Sequence, residues 1–136
     1  NEKYIAETYF EKALNIYPQY IAPRKYKLEF LMDEKEYSSA LEQVDYALTY
    51  SPIWYFYFMK ASILLNLKNY EKAKEIIMDE CFPLNTYNFD QYIILGDAFL
   101  ALDDRENARK YYIEAGKLEP ENKTYSKRMA KLKEKQ

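Results

Sequence analysis

The residues best able to do chemistry in this chain are few and scattered. There is one cysteine, Cys81, and no histidine. Histidine titrates nearest neutrality and is the commonest metal ligand, so its absence removes the usual general base and the usual metal site. Cys81 has no histidine to activate it and sits beside Phe82 at an expected helix end, which reads as a small buried hydrophobe rather than a nucleophile. A single cysteine also excludes an internal disulfide. The acidic pairs Asp33-Glu34, Asp79-Glu80 and Asp103-Asp104 fall at helix ends or turns and lack the alternating ligand spacing of a calcium loop. There is no glycine-rich phosphate loop. Asn122-Lys123-Thr124 matches a glycosylation acceptor, a short match with meaning only in a secreted protein. No catalytic, cofactor-binding or metal-binding residue is expected, and the chain does not read as an enzyme.

The elements that carry these residues are expected to be helices. Only two glycines, Gly96 and Gly116, and five prolines leave little material for hairpins in 136 residues. A composition of 49% apolar and 31% charged residues suits one soluble globular domain with a core. The net charge of −2 divides into +5 over residues 123–136 and −7 over the rest, an acidic body with no general affinity for nucleic acid. The stretch SPIWYFYFMKASILLNL, Ser51 to Leu67, is apolar almost all round. A surface helix shows one apolar stripe, so this helix needs cover on two sides. It is too short and interrupted for a bilayer, which takes roughly 20 apolar residues, so the cover must be protein and no membrane contact is expected. The chain starts at Asn1 and is expected to be a piece of a longer protein. No targeting segment is visible in it, which makes the cytoplasm the default compartment.

A period runs through the chain. Pro18, Pro52 and Pro120 are 34 and 68 residues apart, and Ala6 with Ala13, Ala40 with Ala47, and Ala108 with Ala115 form pairs seven apart. Larger residues follow the first alanine by four, at Phe10, Val44, Ile77 and Tyr112. In Tyr92-Ile-Ile-Leu95-Gly96-Asp-Ala-Phe99, followed by Ala108, Tyr112, Ala115, Leu118 and Pro120, the chain resembles the tetratricopeptide repeat family. The resemblance covers essentially the whole chain. It implies an all-α fold, a right-handed α-solenoid of antiparallel helix pairs, about 3.5 repeat units and a C-terminal capping helix. In this reading residues 1–20 are a half repeat, 21–54, 55–88 and 89–122 are repeats, and 123–136 are the cap. The middle unit departs from the pattern: Tyr70 and Ala73 arrive one residue early and Pro83 three, which suggests a shortened internal turn and a longer loop over 83–88. The predicted helices are 3–16, 22–33, 37–50, 53–67, 70–81, 89–102, 105–118 and 122–134, with Asn88 and Gln91 as a capping box. The final helix carries Tyr125, Met129 and Leu132 on one side and its basic residues elsewhere, as a terminal cap should. On the first helix, Tyr4, Tyr9 and Tyr17 are expected to meet a neighbour.

The resemblance also implies a surface. First helices of such repeats line a concave face, and in the register above Tyr55, Phe58, Ser62 and Leu65 face inward within their repeat. That leaves Phe56, Met59, Ile63 and Asn66 on the concave side, with Ile93 beside them. Lys25, Glu29, Asp90 and Asp97 then stand round an apolar floor. A strip of this kind fits an extended peptide or an amphipathic helix; the alternative is that curvature buries it as filler. Some family members grip the C-terminal carboxylate of chaperones, which would require lysine, asparagine or arginine at Lys25, Glu29, Lys60, Asp90 and Ile94. Only Lys25 agrees, so no such clamp is expected. Sixteen tyrosines suit either interfaces or helical packing. The expected function is a non-enzymatic protein-protein interaction scaffold for a protein or peptide partner. The alternatives are a homodimerisation module, or a regulatory appendage of a larger enzyme such as a membrane glycan-handling protein.

Overall fold

A computed structural model describes residues 2–85 and 87–134. In chain order the helices are α1 (Glu2–Ile16), α2 (Ile21–Asp33), α3 (Tyr37–Tyr50), α4 (Trp54–Asn66), α5 (Tyr70–Ile76), a π-helical turn (Ile77–Cys81), α6 (Phe82–Leu84), α7 (Phe89–Ala101), α8 (Arg105–Leu118) and α9 (Lys123–Glu134). Pairs α2/α3, α4/α5 and α7/α8 stack into an all-α helical array.

Each pair turns on the same local device. Lys35, Lys68 and Asp103 take left-handed φ values of 58°, 64° and 64°. The N–H groups of Glu36, Asn69 and Asp104 then reach back to the carbonyls of Leu31, Leu64 and Phe99 at 2.8, 2.8 and 2.9 Å. The preceding residues close a second bond to Met32, Leu65 and Leu100, each at 3.0 Å. This is the Schellman stop, made here without glycine. In two of the three turns the next residue starts the following helix: Asn69 and Asp104 accept from the backbone N–H groups of Lys72 and Asn107.

The middle turn is therefore as long as the other two, contrary to the shortened turn expected from the sequence. Its repeat starts one residue early as a whole. Ala40, Ala73 and Ala108 step by 33 and 35 residues, as do the first residues of α2, α4 and α7. The extra length is absorbed later. From Tyr70 to Leu84 the chain stays helical through the π turn, which takes up an inserted residue within a helix. The expected loop over 83–88 shrinks, because the helical run continues through Pro83 to Leu84. The π turn also rotates Cys81 into the core, while Glu80 stays exposed. Burial, then the Glu80 charge, push the Cys81 thiol up to about 12.

Two apolar clusters form the core. One joins Leu28, Leu31, Ala40, Val44 and Ala47 to Phe56 and Ile63. The other joins Ala61 and Leu64 to α5, α7 and α8 and ends on Leu132 of α9. Helix α4 belongs to both, which is the two-sided cover that its composition demands. Within the last pair, a Cβ at Gly96 would lie 2.4 Å from Tyr112 Cε1, so glycine is what lets the tyrosine ring lie on the helix backbone. Tyr125 of α9 lies on Gly116 in the same way, its Cζ 2.4 Å from a Cβ built there.

Gly96→Leu is expected to lower stability by about 1–3 kcal/mol through overpacking; an unchanged melting temperature would contradict this contact. Cys81 offers a second check. Its thiol pKa is higher folded than unfolded, so the neutral thiol's contribution is complete below the unfolded value, about 8.5, and is lost as pH rises toward 12. At pH 8 an alkylating reagent should therefore modify Cys81 only as fast as the protein opens, followed by mass spectrometry; modification at the rate of a free thiol would contradict its burial.

Candidate functional site

Small residues set the register of the first helices of the pairs. Ala61 lies twelve before Ala73, as Gly96 lies twelve before Ala108. The positions equivalent to Ala22, Lys25, Glu29 and Met32 of α2 are therefore Tyr55, Phe58, Ser62 and Leu65 of α4, and Asp90, Ile93, Asp97 and Leu100 of α7. This reverses the two faces of α4 assigned from sequence. Phe56 and Ile63 are 0% exposed and packed against α2 and α3, so they are core and not groove floor. Met59 is half-buried against the same cluster, and Asn66 is exposed with its amide donating 2.9 Å to the Ser62 carbonyl. The cause is the single-residue offset: one residue turns a helix by 100°, enough to exchange a buried row for an open one.

The Tyr55 row is tied across helices. The Tyr55 hydroxyl donates to Glu29 Oε1 at 2.9 Å, and Lys25 Nζ lies 4.3 Å from the centre of the Tyr55 ring. Burial and then the Glu29 acceptor raise the Tyr55 phenol above its ordinary range. Lys25 and Glu29 also border a cavity of about 300 Å³ together with Ala22 and Tyr26. Phe58, half-buried, stacks on Trp54 at 5.1 Å between ring centres. At the other end of α4, Leu65 opens with Leu100 onto a cleft of about 460 Å³ whose wall includes Asp97, Arg105 and Lys131. Asp90 is exposed at the start of α7, and partial burial followed by Glu119 raise its carboxyl above the usual range. Ile93, 7% exposed, contributes little open surface.

Asp97 is not a free rim charge. Arg128 of α9 grips it with Nε and Nη2 at 2.6 and 3.0 Å, and the Tyr112 hydroxyl donates to the same carboxylate at 2.6 Å. Burial, then Asp97, raise the Tyr112 phenol, and Asp97 raises the Arg128 guanidinium. The bidentate pair fastens the last helix to the repeat it covers.

A second polar link was not read from sequence. Trp54 Nε1 donates 2.9 Å to Oε1 of the fully buried Gln91, whose amide nitrogen donates to the Asn85 carbonyl. Asn88 accepts from the Gln91 N–H at 3.1 Å, which is half of the expected capping box. The Gln91 side chain is diverted to join α4 to α7. The signal for this was a glutamine in an otherwise apolar helical row.

Among the described residues no cluster of three His, Cys, Asp or Glu could hold a metal ion, and no helix is long and apolar enough to cross a membrane. Asn122, of the acceptor-like triplet, is engaged at the start of α9, accepting from the Thr124 N–H at 2.8 Å and donating to Glu119 at 3.1 Å.

The sequence profile of the tetratricopeptide repeat matches residues 55–79 and 92–122. No curated protein matches in sequence. The fold is similar to the Arabidopsis OM64 TPR domain, with a TM-score of 0.76 and 21% identity over 82% of this chain and 92% of that one. MamA gives a TM-score of 0.81 and 17% identity over 92% and 73% of the two chains. The first TPR of Spaghetti (RPAP3), bound to the HSP90 peptide SRMEEVD, gives 0.75 and 23% over 82% and 88%. Residues 55–79 and 92–122 thus match the tetratricopeptide repeat in sequence, and the helix pairs with their common Schellman turns are similar in fold to TPR domains.

Proposed function

We propose that this chain is a non-enzymatic protein-interaction module that seats an extended segment, or one face of an amphipathic helix, along α2, α4 and α7. The observation that carries the reading is the row Tyr55, Phe58 and Leu65, half-buried and continued by Leu100, between polar ends formed by Lys25, Glu29 and Asp90. Apolar anchors in such a row supply affinity, and the polar ends fix register. A first TPR of RPAP3 is bound to an acidic HSP90 peptide. An acidic tail suits this chain poorly. In the corrected register the second-repeat clamp position moves from Lys60 to Met59, so Lys25 is still the only match, while Glu29 and Asp90 would repel a carboxylate. The partner is a segment with two or more apolar side chains and neutral or basic flanks.

Self-association is a second reading, favoured by one observation. Tyr4, Ile5, Tyr9 and Ile16 are exposed on α1, as is Tyr17 just after it. Sedimentation equilibrium of the chain and of Tyr9→Asp decides it: a dimer lost in the variant supports self-association, and a monomer at all concentrations removes it.

A randomised peptide display library selected on the chain tests the first reading. Enriched peptides should share paired apolar residues, and Phe58→Asp or Leu65→Asp should weaken them at least ten-fold while keeping the helical signal. Phe56→Ala should instead cost about 3–5 kcal/mol of stability. Enriched peptides indifferent to both aspartate variants would contradict the assignment.

A further inference from the structure

Arg24 stands out among the charged residues outside the concave face. It is 4% exposed, yet among the described residues no carboxylate pairs with it. Its Nε donates to the Pro18 carbonyl at 2.7 Å. Its guanidinium lies 4.4 Å from the ring centre of Tyr46 and 5.7 Å from that of Tyr50. The two tyrosines are locked to each other, hydroxyl to hydroxyl at 3.3 Å. The rings hold the guanidinium in place but cannot accept from its remaining N–H groups in the ring plane. Among the described residues neither Nη group has a protein acceptor. Among the described residues no fully buried side-chain nitrogen lacks a partner, so both Nη groups keep a path to solvent. Arg24 also lines a cleft of about 230 Å³ between α1, α2 and α3, together with Asn15, Gln43 and Tyr46.

We propose that this cleft binds a carboxylate, with the Arg24 Nη groups as its anchor. The Arg24 guanidinium has no counter-ion of its own, and an anion that meets both Nη groups in a fork supplies one. The planar fork matches the two oxygens of a carboxylate. Asn15 and Gln43, whose side chains carry amide donors, line the same cleft. The other charges in the cleft, Lys27 and Glu11, are paired with each other. They cancel at long range, but the nearby Glu11 oxygens disfavour a dianion such as phosphate. The carboxylate can be a small free acid or a glutamate side chain of a partner protein. The site lies apart from the Tyr55, Phe58, Leu65 row and does not depend on it.

The test is a titration of the whole chain, at constant ionic strength against chloride, with acetate and with an end-blocked pentapeptide containing one glutamate. Backbone amide and arginine Nε–Hε resonances are followed by NMR. Saturable shifts are expected at Arg24, Asn15, Gln43 and Tyr46, unchanged in Phe58→Asp and weakened at least ten-fold in Arg24→Met. Should Arg24→Met fail to fold, Asn15→Ala with Gln43→Ala serves instead, and several-fold weaker binding is expected. Equal affinity for acetate and peptide assigns the cleft to small acids. Peptide binding at least ten-fold tighter, and lost when its glutamate is glutamine, assigns it to a protein side chain. Absent or non-saturating shifts, shifts centred elsewhere, or a response unaffected by these variants would overturn the proposal.

Discussion

The structure depends on α4 being buried from two sides at once. Phe56 and Ile63 complete the core of the pair before it, while Ala61 and Leu64 belong to the core of the pair to which α4 itself contributes. A helix with one buried stripe can tolerate rotation by repacking its edge. A helix held on two separate stripes cannot, because turning it would move large side chains out of one core and into the other. The Trp54–Gln91 hydrogen bond adds a directional constraint between α4 and α7. The rotation of α4 decides which remaining side chains are left open, and the row proposed as the binding surface follows from it.

The repetition itself was plain in the sequence. Spaced alanines mark where second helices meet first helices, and helix boundaries read from the pattern lie within a residue or two of those seen in most elements. The error lay in the choice of ruler. Prolines follow the second helices and sit in connections that vary in length, whereas small residues at the contact between paired helices vary little in spacing. Ala61, twelve before Ala73, carried the correct register, and Ser62 beside it offered a similarly small side chain one position off. In a run as apolar as Trp54 to Leu65, hydrophobic periodicity cannot arbitrate between the two.

The remaining surprises share another cause. Asp97, Gln91 and Arg24 look alike in sequence as polar residues on helices, yet each is decided by groups far along the chain. Asp97 is claimed by Arg128 and Tyr112, and Gln91 by Trp54 and Asn85. Arg24 is enclosed by Tyr46 and Tyr50. Local pattern gives no access to such pairings. Burial of a polar side chain in a helical array is a matter of which long-range partner is within reach.

The most direct measurement of the account is hydroxyl-radical footprinting of the unliganded chain, read residue by residue by mass spectrometry. The account predicts oxidation of Tyr55, Phe58 and Leu65 together with protection of Phe56 and Ile63. Oxidation of Phe56 and Ile63 with protection of the other three would place α4 the other way round and contradict both the core and the concave surface derived from it.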